Sequence, residues 1–176
     1  MTVTDIAARA EVGRSTFFRY FADKQEVLFD DDGEMLHVMV EAIGREAARR
    51  APIGGSLAAA LAAARAGLLA LGDYLREYSG WLEVRVRLIE SHPDLRARTL
   101  MKEQGYVLAG TAELIRHGAD PAVASLAAGL GAVCFGAAQG RALEQGRPLV
   151  DAVEDVFRQL AALDAAALRC YLDGRG

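Results

Sequence analysis

The chain contains 176 residues, of which 52% are hydrophobic, 7% aromatic and 25% charged, and this composition excludes a disordered chain and suits one globular domain with a small additional part. The net charge of −4 argues against a protein that coats nucleic acid with its whole surface, but it leaves room for a local basic patch. No segment is expected to span a membrane or to act as a secretory signal, so we expect a cytoplasmic protein without a membrane partner.

The first 24 residues predict two short helices joined by a tight turn. Thr4 and Asp5 suit the cap of the first helix, residues 11–13 suit the turn, and the second helix is expected over residues 15–21. In such a helix-turn-helix we expect Val12 to be buried in the angle between the helices. The second helix of this motif enters the major groove of DNA, where its N-terminal residues contact the edges of the bases.

Residues 3–28 resemble the DNA-binding signature of the TetR family of bacterial transcriptional regulators. The residues that match in order and spacing are Ile6, Ala7, Ala10, Val12, Thr16, Phe17, Phe18, Tyr20, Phe21, Lys24 and Leu28. The resemblance implies a short helix-turn-helix DNA-binding domain over residues 1–30, followed by a larger helical ligand-binding and dimerisation domain over residues 31–176. Members of the family have a further helix before the motif, and this sequence begins directly before it, so the DNA-binding domain is expected to be truncated.

The resemblance assigns DNA contacts position by position. Arg14, Ser15 and Thr16 correspond to the leading end of the recognition helix, and Arg14 suits guanine because a guanidinium can donate to both O6 and N7. Tyr20 and Lys24 correspond to residues that bind phosphates. The complete set of expected DNA-binding residues is Thr2, Thr4, Arg14, Ser15, Thr16, Phe17, Phe18, Tyr20 and Lys24.

Some positions in this segment depart from the family pattern or suit a second role. Phe18 stands where the family usually has tyrosine, so one phosphate hydrogen bond is expected to be lost. Gly13 replaces the serine that usually caps the recognition helix, and glycine is tolerated there. Phe17 suits the core better than the DNA surface. The acidic residues from Glu26 to Glu34 suit a solvated face.

Glycine and proline residues divide the rest of the sequence into about six longer helices, which predicts an all-α fold. Ser56 suits the N-cap of a helix whose apolar residues form one stripe from Leu57 to Leu75. Residues 84–88 alternate like a strand, yet we expect a helix there because no partner strand is predicted. Residues 121–144 include four glycines, each of which destabilises a helix by about 1 kcal/mol relative to alanine, and this indicates the close approach of another helix.

The family resemblance implies a homodimer formed through the last two long helices, over residues 121–144 and 149–171. The residues expected at its interface are Gly129, Gly136, Gly140, Val153, Phe157 and Leu160. The resemblance also implies a small-molecule effector bound among the helices, and the residues expected to line its site are Tyr74, Tyr78, Trp81, Arg85, Leu88, Tyr106 and Phe135. Arg85 suits either an acidic ligand or a surface ion pair with Glu83 or Glu90.

These features predict a ligand-responsive transcriptional repressor that a small molecule releases from a double-stranded DNA operator. The helix from about Lys24 to Arg49 is expected to carry the signal between the two domains. A dimeric small-molecule-binding or sequestering protein, which has lost DNA binding together with the missing helix, is the alternative. An enzyme built on the same helical cavity is a third interpretation.

The sequence contains no recognisable cofactor, metal or catalytic motif. Cys134 and Cys170 lack the spacing of a disulfide framework or a zinc site. His37, His92 and His117 lie far apart in the sequence and show no ligand-like spacing. We therefore expect no metal, no cofactor and no enzymatic activity.

Overall fold

The computed structural model describes residues 2–20, 23, 26, 32–77 and 79–163, without the side chains of residues 6, 32, 79–83 and 90. Over these residues the chain is helical and contains no strand, which confirms the predicted all-α fold. In the described residues two short helices precede six longer ones, as the glycine and proline positions predicted. The helices are α1 (Val3–Arg9), α2 (Arg14–Tyr20), α3 (Asp32–Ala48), α4 (Leu57–Arg76), α5 (Ser79–Ser91), α6 (Pro93–Arg116), α7 (Pro121–Gln145) and α8 (Leu149–Ala161).

Helix α4 lies at the centre of the bundle that α3 to α8 form. It packs against α3, α7 and α8, while α6 packs against α3, α5 and α7. The predicted stripe of α4 faces this core, because its members from Ala64 to Leu75 are buried. Ser56 caps α4 as predicted, since its hydroxyl oxygen accepts a hydrogen bond from the Ala59 N–H at 3.2 Å.

Helices α3 and α4 cross closely at Gly67. A Cβ atom added at Gly67 would lie 2.6 Å from Ile43 Cγ1 and 3.0 Å from the Met39 carbonyl oxygen. Both distances are shorter than van der Waals contact, so only glycine fits the crossing without a shift of α3. The position of α3 against the core thus depends on a residue without a side chain.

The directions of α3, α6 and α7 follow from their contacts and connections. Ile43 of α3 lies beside Gly110 of α6, and the next residue of α3, Gly44, lies under the carboxylate of Glu113, three residues further along α6, so α3 and α6 run roughly parallel. Helices α6 and α7 are joined by residues 117–120 alone and pack along each other. Short connections of this kind join antiparallel neighbours, so the start of α6 lies level with the end of α7.

The composition of α4 and α7 bears on the expectation that no segment spans a membrane. Residues 121–140 carry no charged side chain, and by length and composition alone both α4 and α7 are apolar enough to cross a membrane. Both helices nevertheless pack against other helices of the bundle. One face of α7 contributes Cys134 and Ala138 to the core, while the opposite face exposes Leu126 and Val133.

The remaining predictions about the helices concern α5 and α8. Residues 84–88 lie within α5, so the expectation of a helix in place of a strand is confirmed. Helix α8 ends at Ala161, and the predicted continuation from residue 164 to residue 171 lies outside the described residues. Only residues 32–48 of the expected helix from Lys24 to Arg49 are described as α3.

Candidate nucleic-acid interface and ligand cavity

Helix α1 begins with a reciprocal cap between Thr2 and Asp5. The Thr2 hydroxyl oxygen accepts from the Asp5 N–H at 3.2 Å, and the Asp5 carboxylate accepts from the Thr2 N–H at 2.7 Å and from the Thr2 hydroxyl at 2.9 Å. The two hydrogen bonds that the carboxylate accepts, first the one from the Thr2 N–H and then the one from the Thr2 hydroxyl, lower the pKa of Asp5. The prediction that Asp5 caps the helix is confirmed, whereas Thr4 is wrong as its partner, because the hydroxyl residue of a capping box stands three positions before the acidic residue and is therefore Thr2.

The turn between α1 and α2 is a helix-ending motif that depends on Glu11. The Val12 N–H donates to the Ala7 carbonyl at 3.0 Å and the Glu11 N–H donates to the Ala8 carbonyl at 3.2 Å, with Glu11 at a φ of +55°. This is the Schellman pattern, and the predicted turn is confirmed. Val12 is not buried as predicted but 41% exposed, because two helices of seven residues enclose only one side of the turn.

Helix α2 presents a polar leading end to solvent. It begins at Arg14, one residue earlier than predicted, and the Gly13 carbonyl accepts the Phe17 N–H at 3.0 Å. Arg14 and Ser15 are exposed, and Thr16 is half-buried. The Arg14 guanidinium lies 5.9 Å from the centroid of the exposed Phe18 ring, so this ring supports the cation by a cation–π contact.

The aromatic residues of α2 divide between the core and the surface. Phe17 is only 4% exposed and packs edge-to-face on Phe18 with the ring centroids 5.5 Å apart. The prediction that Phe17 contacts DNA is therefore wrong, because its ring is buried. Tyr20 is exposed, and the Arg19 guanidinium lies 5.0 Å from the centroid of its ring. Sequence reasoning missed Arg19, although a cation beside an aromatic residue was a visible signal.

Other members of the expected DNA-binding set stand as follows. Thr2 and Thr4 are both exposed. The Thr2 hydroxyl donates its proton to Asp5, so in this conformation it does not donate a hydrogen bond to a phosphate. Lys24 lies outside the described residues.

A charged contact joins the segment after α2 to α6. Arg98 of α6 forms an ion pair with Asp23 at 2.9 Å and a second ion pair with Glu26, and the Glu26 N–H donates to Asp23 at 2.9 Å. The hydrogen bond to Asp23 is the largest cause of the raised pKa of Arg98. The expectation that Glu26 belongs to a solvated face is wrong, because Arg98, 72 residues away in the sequence, lies against it.

Helices α3 to α7 enclose a cavity of about 360 Å³. Three residues of the predicted set, Arg85, Tyr106 and Phe135, line it. Sequence reasoning missed most of the lining, since long-range packing alone selects it. The described lining residues are Met35, Met39, Ile43, Ala64, Leu68, Leu71, Leu75, Arg85, Val86, Ile89, Thr99, Lys102, Glu103, Tyr106, Val107, Gly110, Leu114, Ala128, Gly131, Ala132, Phe135, Gly136 and Gln139.

Of the other four members of the predicted lining set, Tyr74 and Leu88 have described side chains, and neither lines the cavity. The Tyr74 hydroxyl donates to Glu34 at 3.0 Å, so this side chain turns towards the start of α3 and the prediction is wrong. Leu88 does not line the cavity either, because the described side chains that α5 presents to it are those of residues 85, 86 and 89. Tyr78 and the Trp81 side chain lie outside the described residues.

The residues predicted at the dimer interface divide between the outer face of α7 and the core of the chain. Gly136 and Gly140 are exposed, Gly129 is half-buried, and an added Cβ atom at any of the three would meet nothing within 4 Å. Val153 is only 1% exposed and Phe157 is buried beside it in the core between α4, α7 and α8. Their assignment to an interface is wrong, because the chain covers them itself. Leu160 packs at the edge of the same core and is half-buried.

The described part of the chain offers little to metal or thiol chemistry. No group of three or more His, Cys, Asp or Glu side chains in it is arranged to hold a metal ion. Cys134 is buried, and burial raises the pKa of its thiol, which disfavours the reactive thiolate. Cys170 lies beyond the described residues.

Comparison with known protein families matches both parts of the chain. The family model described as bacterial regulatory proteins, tetR family, matches residues 1–30. The model described as MftR C-terminal domain matches residues 58–164, which is more than half of the sequence. No curated protein matches the chain.

Proposed function

Because the chain belongs to the TetR family of transcriptional regulators, we propose that it is a repressor that binds an inverted-repeat DNA operator as a homodimer and is released by a small molecule. The observation that carries the proposal is the exposed leading end of α2, where Arg14 and Ser15 face solvent directly after the turn. Residues at this position of a helix-turn-helix contact base edges in the major groove. We place the DNA-binding domain at residues 1–30 and the effector and dimerisation domain at residues 31–176.

The surface around α2 supplies the other contacts that DNA requires. Arg19 and Tyr20 are exposed side by side at the end of the helix, where a cation and a phenol suit neighbouring phosphates. Arg14 is the residue that we assign to a base, because its guanidinium is held by Phe18 and remains exposed. We assign Lys24 to a further phosphate.

The homodimer is proposed to form on the outer face of α7. Two recognition helices must lie about 34–36 Å apart to enter successive major grooves, and a dimer provides this spacing. Leu126 and Val133 are exposed on α7, with Gly129, Gly136 and Gly140 on the same helix open to a neighbour. An exposed apolar face with glycines allows the backbones of two helices to approach closely.

Release by an effector is supported by two helices that line the cavity and also adjoin the segment after α2. Helices α3 and α6 both line the cavity. Helix α3 follows the segment that contains Asp23 and Glu26, and α6 holds both of these carboxylates through Arg98. A ligand that favours another spacing of α3 and α6 would change the placement of α2 and shift the population away from the DNA-bound state.

The test is a selection of random duplex DNA by the purified chain at moderate salt, with three variants in parallel. We expect an enriched inverted repeat for the unchanged chain. Arg14→Ala should relax the choice of one base in each half-site at a cost of about 1–3 kcal/mol, whereas Lys24→Ala should weaken all sequences alike. Arg49→Ala, at the far end of α3 and exposed, is the matched control and should enrich the unchanged sequence.

A second function is favoured by the exposure of Val12, which leaves the helix-turn-helix with a small core of its own. In this second function the chain is a dimeric protein that binds or sequesters a small molecule without binding DNA. A folded dimer that enriches no DNA sequence would contradict the repressor and support this alternative. Equal, sequence-independent losses for Arg14→Ala and Lys24→Ala would contradict the assigned roles of the two residues.

A further inference from the structure

The wall of the cavity that α3 to α7 enclose is predominantly apolar. Met35 and Met39 of α3, Leu71 of α4 and Phe135 of α7 all line it. Methionine side chains are flexible and adapt to ligands of irregular shape. The described lining residues are apolar or glycine apart from six polar ones, which are Arg85, Thr99, Lys102, Glu103, Tyr106 and Gln139.

Most of these polar side chains already have partners in the protein. Arg85, Lys102 and Tyr106 each interact with another group of the chain. The Thr99 hydroxyl donates to the Leu95 carbonyl of its own helix at 2.9 Å. In the described part of the chain, every buried side-chain nitrogen and oxygen atom has a hydrogen-bond partner. The wall of the cavity therefore does not require a polar group of the ligand to satisfy it.

A charge on the ligand would be unfavourable in this cavity. A charged group that leaves water loses its hydration, and this loss is offset only where the protein supplies a partner. Arg85 and Lys102 could pair with an anion only in exchange for the contacts that they already make. Glu103 is exposed to solvent, where water weakens its attraction for a cation. An uncharged ligand avoids both costs.

The volume of the cavity sets the size of the ligand. An apolar cavity of about 150 Å³ binds benzene, which has six carbon atoms. In the same proportion, a cavity of about 360 Å³ accommodates about 14 heavy atoms. A molecule of two linked aromatic rings with a small head has this size.

We propose that the cavity binds an uncharged apolar molecule of about 14 heavy atoms. The ligand lies among Met39, Leu71, Val107 and Phe135, which all line the cavity. Removal of its apolar surface from water supplies most of its affinity. The inference names the class of the effector and so deepens the proposed function, whereas binding of the ligand does not require that the chain bind DNA.

Ile43 connects the cavity to α3. Its side chain lines the cavity and lies between α4 and α6. A Cβ atom added at Gly67 would lie 2.6 Å from Ile43 Cγ1, and one added at Gly110 would lie 3.5 Å from Ile43 Cδ1. Because the side chain is packed closely between these two glycines, we expect a ligand that presses on Ile43 to displace α3 as well. This regulatory step rests on the proposed function, since α3 follows the segment after α2.

The experiment compares three probes that share a biphenyl body and differ in the charge of the head. At pH 7, 4-phenylbenzyl alcohol is uncharged, 4-phenylbenzylamine is a cation and biphenyl-4-carboxylate is an anion. Each is titrated into the full chain below its solubility limit, and binding is measured by calorimetry and by the shift of the melting temperature. We expect the alcohol to bind at least tenfold more tightly than either charged probe. Equal or tighter binding of the cation or the anion, or no binding of the alcohol, would overturn the proposal.

Variants that narrow the cavity test where the probe lies. Val107→Phe on α6 and Ala132→Phe on α7 each add a ring at a lining position and should weaken the alcohol at least tenfold. Ala132 is exposed, so the folded state tolerates its enlargement even if Val107→Phe unfolds the chain. Leu108→Phe is the matched control, since Leu108 follows Val107, is 60% exposed and does not line the cavity. Unchanged affinity in the two narrowing variants would overturn the assignment to this cavity.

An operator measurement tests the role of Ile43 and separates this inference from the proposed function. Once the enriched operator is known, 4-phenylbenzyl alcohol should lower its affinity for the unchanged chain. Ile43→Val removes Cδ1 and should still bind the alcohol while the operator affinity responds less. An equal response in both chains, or operator binding that the bound alcohol does not change, would overturn the regulatory step. Binding of the alcohol by a chain that enriches no operator would support the ligand class and contradict the repressor.

Discussion

At the scale of single residues, the turn before the recognition helix depends on a residue that is poorly suited to its backbone. Glu11 adopts a φ of +55° in the position that ends α1, where glycine is the usual residue. Left-handed backbone costs a non-glycine residue roughly 1–2 kcal/mol. The hydrogen bonds of Glu11 and Val12 to the end of α1 hold this conformation in place. The orientation of α2 therefore carries a local energetic cost.

Replacing Glu11 by glycine should relieve this cost. We expect Glu11→Gly to stabilise the helix-turn-helix by about 1 kcal/mol, less the larger backbone entropy that glycine loses on folding. Amide hydrogen exchange in α1 and α2 is the measurement, because it reports this segment separately from the bundle. Glu144→Gly, in the exposed part of α7, is the control and should destabilise its helix by about 0.5–1 kcal/mol. Faster exchange in Glu11→Gly would contradict the prediction.

At the scale of helices, the packing of α3 on α4 depends on the absence of a side chain. Gly67→Ala places a Cβ atom 2.6 Å from Ile43 and 3.0 Å from the Met39 carbonyl, so we expect a loss of about 1–3 kcal/mol in the free energy of unfolding. Gly105→Ala, where an added Cβ atom meets nothing within 4 Å, should gain about 0.5–1 kcal/mol. Urea denaturation measures both. Equal effects of the two substitutions would show that crowding at the crossing is unimportant.

The ion pair between α4 and α8 should make stability depend on pH in the acid range. The hydrogen bond from Arg65 holds the pKa of Glu154 below its ordinary value. The stabilisation is therefore fully present above the pKa of an unfolded glutamate, about 4.3, and is lost as the pH falls through the lowered folded pKa. Both side chains are more than a third exposed, so we expect about 0.5 kcal/mol.

Glu154→Gln provides the test of this pH dependence. The variant should lose this stabilisation near pH 7, and its difference from the unchanged chain should shrink as the pH falls below about 4.3, as measured by urea denaturation at several pH values. Glu144→Gln removes an exposed carboxylate outside the α4–α8 contact and serves as the control. A Glu154→Gln difference that is independent of pH would show that the ion pair does not stabilise the fold.

At the scale of the whole molecule, the outer face of α7 is the surface on which we propose that the homodimer forms. Val133 is 71% exposed on this face. Val133→Glu should leave the folded monomer intact and weaken the dimer about a hundredfold or more, because an unpaired charge would be buried between the copies at a cost of about 3 kcal/mol. Analytical ultracentrifugation at micromolar concentration is the measurement.

The control for this variant lies on another helix. Met101 of α6 is 77% exposed, so Met101→Glu adds the same charge to the surface away from α7 and should leave the dimer unchanged. A clean monomer of the unchanged chain would refute the homodimer itself. Dissociation by Met101→Glu and not by Val133→Glu would move the interface to α6.

Much of the fold could be predicted because its signals are local. The starts of α4 at Ser56 and of α2 at Gly13 depend on hydrogen bonds within a few residues, and so does the turn at Glu11. The apolar stripe of α4 depends on spacing within one helix. The helix over residues 84–88 was predicted against its alternating pattern because no partner strand existed. The family match at residues 1–30 likewise rests on residues in a fixed local order.

The sequence by itself thus determined the helices, the cap of α4 and the helix-turn-helix motif, while the tertiary structure decided which faces of those helices are buried. Periodicity alone does not say what a stripe packs against. In the structure Val153 and Phe157 belong to the core of the chain itself, while the outer face of α7 stays exposed. The contact of Arg98 with Asp23 and the cavity wall that α3 to α7 share bring together residues that are distant in sequence. Such contacts depend on how the helices pack, and packing is a property of the whole chain.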